Sequence, residues 1–104
     1  MRPPGCRGRS RPRALAVVRG PAYIEDLDII AAHIARDDAS AALALWLHID
    51  DQVAQLADPN FPRRPGRQPG TWELVAHANY VVVLVQDATT VTVLAVLHSR
   101  RKYP

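Results

Sequence analysis

Residues 70–104 read GTWELVAHANYVVVLVQDATTVTVLAVLHSRRKYP. Three apolar runs with short polar breaks predict strands over Trp72–His77, Tyr80–Gln86 and Val91–His98. Ala78-Asn79 and Asp87-Ala88-Thr89-Thr90 supply the turns between them. Val81 to Val85 is apolar on both faces, as a central strand covered on one side should be. The last run leads into His98, Arg100, Arg101, Lys102 and Tyr103. A small sheet that carries a basic, aromatic tip is suited to touching nucleic acid or a large nucleic-acid machine.

Upstream, residues 58–70 (DPNFPRRPGRQPG) hold four prolines and two glycines. They predict a loop, long for so small a domain, and long loops are often functional. Before it, Ala42, Leu45, Trp46, Ile49, Val53 and Leu56 form one apolar stripe, predicting a helix over about Ala39–Ala57. Asp38 or Ser40 can cap its start. An earlier stripe of Ile24, Leu27, Ile30 or Ala31, and Ile34 predicts a helix from Pro21, at the first helical position, to about Arg36. Glu25, Asp26 and Asp28 fall in its early turns, where they favour the positive end of the helix dipole. The short Arg36-Asp37-Asp38 connection makes the two helices an antiparallel hairpin. Ala14 to Val18 reads as a short buried strand.

The order β–α–α–β–β–β predicts an α/β chain of the two-layer α+β kind. The helical hairpin packs on one face of a mostly antiparallel, twisted sheet, and the other face stays open. The chain has 104 residues, enough for one domain with a thin core. Its single cysteine, Cys6, excludes an internal disulfide framework and a Cys-based zinc site. No apolar run approaches the roughly 20 residues of a membrane span, and Ala14 to Val18 is too short for a signal peptide core. These features point to the cytoplasm and away from a membrane.

The net charge of +3 is unevenly placed. Arg2, Arg7, Arg9, Arg11 and Arg13 all lie in residues 1–13, and without them eight basic residues face ten acidic ones. Residues 1–13 are rich in Arg, Pro and Gly and carry no periodicity, so they are expected to form a disordered basic leader. Two readings of it stay open. It is a nucleic-acid-binding arm, or it precedes the native start, with Val17 or Val18 as the first residue. The folded domain is then residues 14–104.

From Ala14 to Pro104 the chain resembles the RelE/ParE superfamily of type II toxin–antitoxin toxins. Four pieces carry the resemblance. Pro21-Ala22 opens a helix with Asp26-Leu27-Asp28-Ile29-Ile30, and the second helix ends Val53-Ala54-Gln55-Leu56-Ala57. The loop reads Arg64-Pro65-Gly66-Arg67-Gln68-Pro69-Gly70-Thr71. The strands carry Glu73-Leu74-Val75, Asn79-Tyr80-Val81-Val82-Val83 and Val96-Leu97-His98. The resemblance implies a growth-arresting toxin neutralised by a cognate antitoxin. RelE-like members cut mRNA on the ribosome. ParE-like members poison DNA gyrase without known catalysis of their own. Fold does not decide between these targets. A third reading is an inactive interaction module built on the same fold.

Cleaving RNA by 2′-hydroxyl attack needs a base, positive charge for the phosphorane and an acid for the leaving oxygen. The candidates are Arg67 on the loop and His98, Arg100, Arg101 and Tyr103 at the tip. Tyr103 can stack on a base and His98 can move a proton. Against them stands a solvated or antitoxin-contacting basic patch and a structural His98. The nuclease members carry an arginine at the start of the middle strand, where this chain has Tyr80. The Leu97-His98-x-Arg100 tip looks more like the ParE side. No cofactor is implied and no metal. His33 and His48 lack paired ligand spacing, and His77 has no Cys, Asp or Glu partner near it in sequence. Glu73 reads as a strand-surface ion pair or a general base. Trp46 belongs to the core, and Trp72 is the candidate for an exposed aromatic contact. An antitoxin's acidic residues are expected to dock on Arg67, Arg100 and Arg101.

Overall fold

A computed structural model describes residues 14–99. The leader 1–13 and the tip residues Arg100, Arg101, Lys102 and Tyr103 lie outside the described residues. Strand β1 (Ala16–Arg19) is followed by helices α1 (Pro21–Ala35) and α2 (Ala39–Ala54), a 3-10 turn (Gln55–Ala57), and strands β2 (Arg64–Pro65), β3 (Trp72–His77), β4 (Tyr80–Gln86) and β5 (Thr90–His98). The sheet order is β1-β5-β4-β3-β2. β1 runs parallel to β5, and every other neighbouring pair is antiparallel. This is the expected two-layer α+β architecture.

Alternation along the strands sends one set of side chains toward the helices. Leu74 and Ala76 of β3, Val82 and Leu84 of β4, and Val91, Val93 and Val96 of β5 are buried there. The step of three from Val93 to Val96 follows from a bulge. Val83 pairs with Ala95 but Leu84 with Val93, so Leu94 is an extra residue. α1 contributes Tyr23 and Leu27, and α2 contributes Ile49 and Val53, with Leu56 from the 3-10 turn, all fully buried. Full burial of one such aliphatic side chain contributes roughly 1.5–3 kcal/mol.

Several expectations need correction. The first strand begins two residues later than its apolar pattern suggested, and it is an edge strand rather than a buried one. Ala16, Val18 and Arg19 are exposed, Val17 is half-buried, and the buried Leu15 precedes it. The α-helical part of α2 stops at Ala54, and the 3-10 turn completes the segment. Of the two capping candidates, Asp38 is the cap: its Oδ1 accepts from the Ala41 N–H at 3.0 Å. Trp46 packs on the core as expected but is only half-buried, its Nε1 donating to Asp28 at 3.0 Å. Trp72 is also half-buried and packs on the core, because it alternates with Leu74 on the inward face.

The proline-rich segment is pinned rather than loose. Arg64 and Pro65 pair with Glu73 and Trp72 as the short edge strand β2. The Arg63 guanidinium donates to Phe61 O (2.9 Å), Asp58 O (2.6 Å), Leu56 O (3.4 Å) and Gln86 Oε1 (2.7 Å). One side chain thus ties three carbonyls of the chain beyond α2 to β4.

Candidate functional site at the end of the sheet

β3 ends, β4 begins and β5 ends at the same edge of the molecule. The register pairs His77 with Tyr80 and Tyr80 with His98. Tyr80 and His98 lie on the helix-facing side, in alternation with Val82 and Val96. Their ring centroids are 5.3 Å apart in an edge-on arrangement. Tyr80 is 5.8 Å from the His77 ring, and His77 is 6.2 Å from His48 of α2. A row of four rings therefore crosses from α2 to the last strand. The sequence reading treated His48 and His77 as isolated; an end-on view of the sheet joins them.

Below Tyr80 and His98 lies a groove of about 450 Å³, walled on the other side by Asp26, Ile29 and His33 of α1. Asp26 is anchored there: its Oδ2 accepts the Val96 N–H at 3.1 Å. That bond forms because β1 pairs with β5 only as far as Val93, leaving the β5 edge beyond it to α1. The acidic residues of α1 that seemed placed for the helix dipole instead serve tertiary bonds, Asp26 to Val96 and Asp28 to Trp46.

The β3–β4 turn is tied to this site. His77 Nδ1 accepts the Asn79 N–H at 3.0 Å. Asn79 O accepts the Ser99 N–H at 2.8 Å, and Ala78 O accepts the Ser99 hydroxyl at 3.0 Å. Ser99 directly precedes Arg100-Arg101-Lys102 in the chain. A histidine two residues before an asparagine turn was the sequence signal for this arrangement.

Of the candidate site residues, His98 stands in the ring row. Arg100, Arg101 and Tyr103 lie outside the described residues. Arg67 is exposed in the turn between β2 and β3, at the opposite end of the sheet. There Pro65 and Trp72 are level with Leu84 and Val93. Leu84 lies four residue steps along β4 from Tyr80, on the order of 13 Å. The structure does not bring Arg67 and His98 together. Glu73 is buried and ion-paired, its Oε1 3.1 Å from Arg64 Nε. Among the described residues no group of three His, Cys, Asp or Glu side chains is arranged to hold a metal ion. Nor is any described helix long and apolar enough to cross a membrane.

The family model described as "ParE toxin of type II toxin-antitoxin system, parDE" matches residues 17–103. The chain belongs to the ParE toxin family. A relative from Sinorhizobium fredii (strain NBRC 101917 / NGR234), "Putative toxin Y4kP", is 33% identical over 78 residues, covering 75% of this chain and 81% of that one. A solved structure titled "Chromosomal ParDE TA system from P. aeruginosa" superposes with a TM-score of 0.74 at 19% identity. It covers 83% of this chain and 97% of its own, which shows the shared fold. This ParE-family chain is thus a type II toxin–antitoxin toxin, and its family implies an antitoxin partner.

Proposed function

We propose that this ParE-family toxin arrests growth in the cytoplasm by docking on DNA gyrase, with no bond-making chemistry of its own. Tyr80 carries the reading. It stands at the start of β4 with its ring against His77 and His98. A neutral phenol there supplies no fixed positive charge for a phosphorane, which mRNA cleavage would need. The basic run Arg100-Arg101-Lys102 then serves as the docking tip. A cognate antitoxin neutralises the toxin by placing acidic residues on Arg67, Arg100 and Arg101.

The ring row favours a second reading, ribosome-dependent mRNA cleavage. His98 would move a proton and Tyr103 would stack on a base. Purified protein is tested in parallel with gyrase plus supercoiled plasmid, and with ribosomes programmed with mRNA. Gyrase-trapped DNA breaks that vanish in the Arg100→Ala/Arg101→Ala variant, with intact mRNA, are expected. Breaks at A-site codons would overturn the gyrase reading. Inactivity in both assays would leave an interaction module.

A further inference from the structure

We infer that His77 is a proton-operated latch that holds the β3–β4 turn and, through it, the root of the basic tip. A neutral imidazole has one acceptor nitrogen and one N–H. The Asn79 N–H points at Nδ1 from 3.0 Å, so the latched form is the neutral ring with its proton on Nε2. A proton taken from solvent can only go to Nδ1. It replaces the acceptor with a second donor, and two N–H groups then face each other. The Asn79 bond is lost.

The consequence passes along two further bonds. Asn79 O and Ala78 O are the acceptors for the Ser99 amide and hydroxyl. When the turn shifts, Ser99 loses its seat, and Arg100-Arg101-Lys102 follow it directly in sequence. Histidine is the side chain that ordinarily changes charge between pH 5 and 8, so that is the range over which the latch is tested.

Titratable side chains of the neighbouring elements surround this region. From α2 comes His48, whose ring is 6.2 Å away. Asp51, on the next turn of α2, is bonded to Gln55 at 3.3 Å. From β4 comes Tyr80, with His98 of β5 on its far side. From α1, Asp26 and His33 line the groove with Tyr80 and His98.

The test uses the isolated full chain by NMR. At about pH 7.5 the His77 ring should be the Nε2–H tautomer with Nδ1 bare; the opposite tautomer overturns the latch. Between about pH 7.5 and 5.5, amide protection at Asn79 and Ser99, corrected for intrinsic exchange, should fall about tenfold while Val82 and Val93 hold. His77→Asn puts an uncharged carbonyl oxygen near the Nδ1 position and should keep protection at both pH values. His48→Gln leaves His77 in place and should retain the fall. A pH-independent wild type, or a fall that persists in His77→Asn or disappears in His48→Gln, overturns the proposal. A role for the latch in docking rests on the tip being the docking surface. The exchange experiment contains no gyrase, so it fails or succeeds independently of that reading.

Discussion

Tyr23 of α1 donates its hydroxyl to Asp50 Oδ1 of α2 at 2.9 Å, and the same oxygen accepts from Arg19 Nε of β1 at 2.8 Å. One carboxylate therefore joins both helices to the edge strand. Tyr23 is fully buried, so its hydroxyl depends on Asp50 for a partner. Burial first, and then the bond to Asp50, raise the Tyr23 ionisation well above that of an ordinary phenol.

Tyr23→Phe should cost about 1.5 kcal/mol by urea unfolding, since Asp50 keeps Arg19. Asp50→Ala should cost more, about 2–3 kcal/mol, because it strands a buried hydroxyl. The raised Tyr23 ionisation fixes the sign of a pH effect. Its stabilisation is fully present below the unfolded value of about 10 and is lost as pH rises above it, where only the unfolded chain releases the proton. The stability gap between wild type and Tyr23→Phe should therefore narrow through pH 10–11. A gap that stayed constant there would mean that the hydroxyl ionises freely in the folded state.

These ties mark where sequence reading stops. The three main strands were legible because alternation and turn residues agree over residues 72–98, and both helices because their stripes repeat at three and four. Tyr23 was not, because it falls one residue before the stripe of Ile24 and Leu27. The ring row was invisible for a different reason. His48, His77 and His98 are far apart in sequence, and only the sheet register with α2 laid across it aligns them. Arg63 was not legible either, since nothing local reveals which carbonyls a guanidinium will reach. The family pattern was readable throughout, because it follows element order and spacing rather than side-chain partners.

Gly20 lies where β1 turns into α1, and its N–H donates to Val93 O at 2.9 Å. A Cβ added there would sit 2.7 Å from that carbonyl oxygen, which is backbone of β5 between β1 and β4 and cannot swing away. Gly20→Ala should destabilise by roughly 1–3 kcal/mol, the range for overpacking a close contact. Thermal unfolding is the direct check. An unchanged midpoint would show that the β1–α1 corner yields more easily than its hydrogen bond implies.

Arg63 should not tolerate lysine. Its planar fork reaches Asp58 O and Gln86 Oε1 at once, at 2.6 and 2.7 Å, with Phe61 O at 2.9 Å. Burial lowers its proton affinity from the ordinary arginine value, yet arginine remains charged at any physiological pH. An ammonium is a point donor that serves one or two of these sites. Arg63→Lys should therefore cost about 1–3 kcal/mol. Limited proteolysis should then cut within residues 58–63 faster than in wild type, while the β3–β4–β5 amides keep their exchange protection.

Asp26 makes the longest-range bond of this set, holding the Val96 N–H at 3.1 Å across 70 residues of sequence. Val96 lies just past the bulge at Leu94, where β5 has lost β1 as a neighbour. Asp26→Ala leaves that edge amide without its acceptor and should cost about 1–3 kcal/mol. Asp26→Asn keeps an acceptor oxygen in reach and should cost less than half as much. Amide exchange at Val96 separates this bond from a general loss of stability. Its protection should fall in Asp26→Ala by more than that of Val93, whose strand pairing is untouched. Equal losses at both positions would assign the effect to global unfolding. Because Val96 leads through Leu97 to His98, a selective loss would also loosen the β5 end of the ring row. His77 and its turn, held from the β3 side, would keep their order.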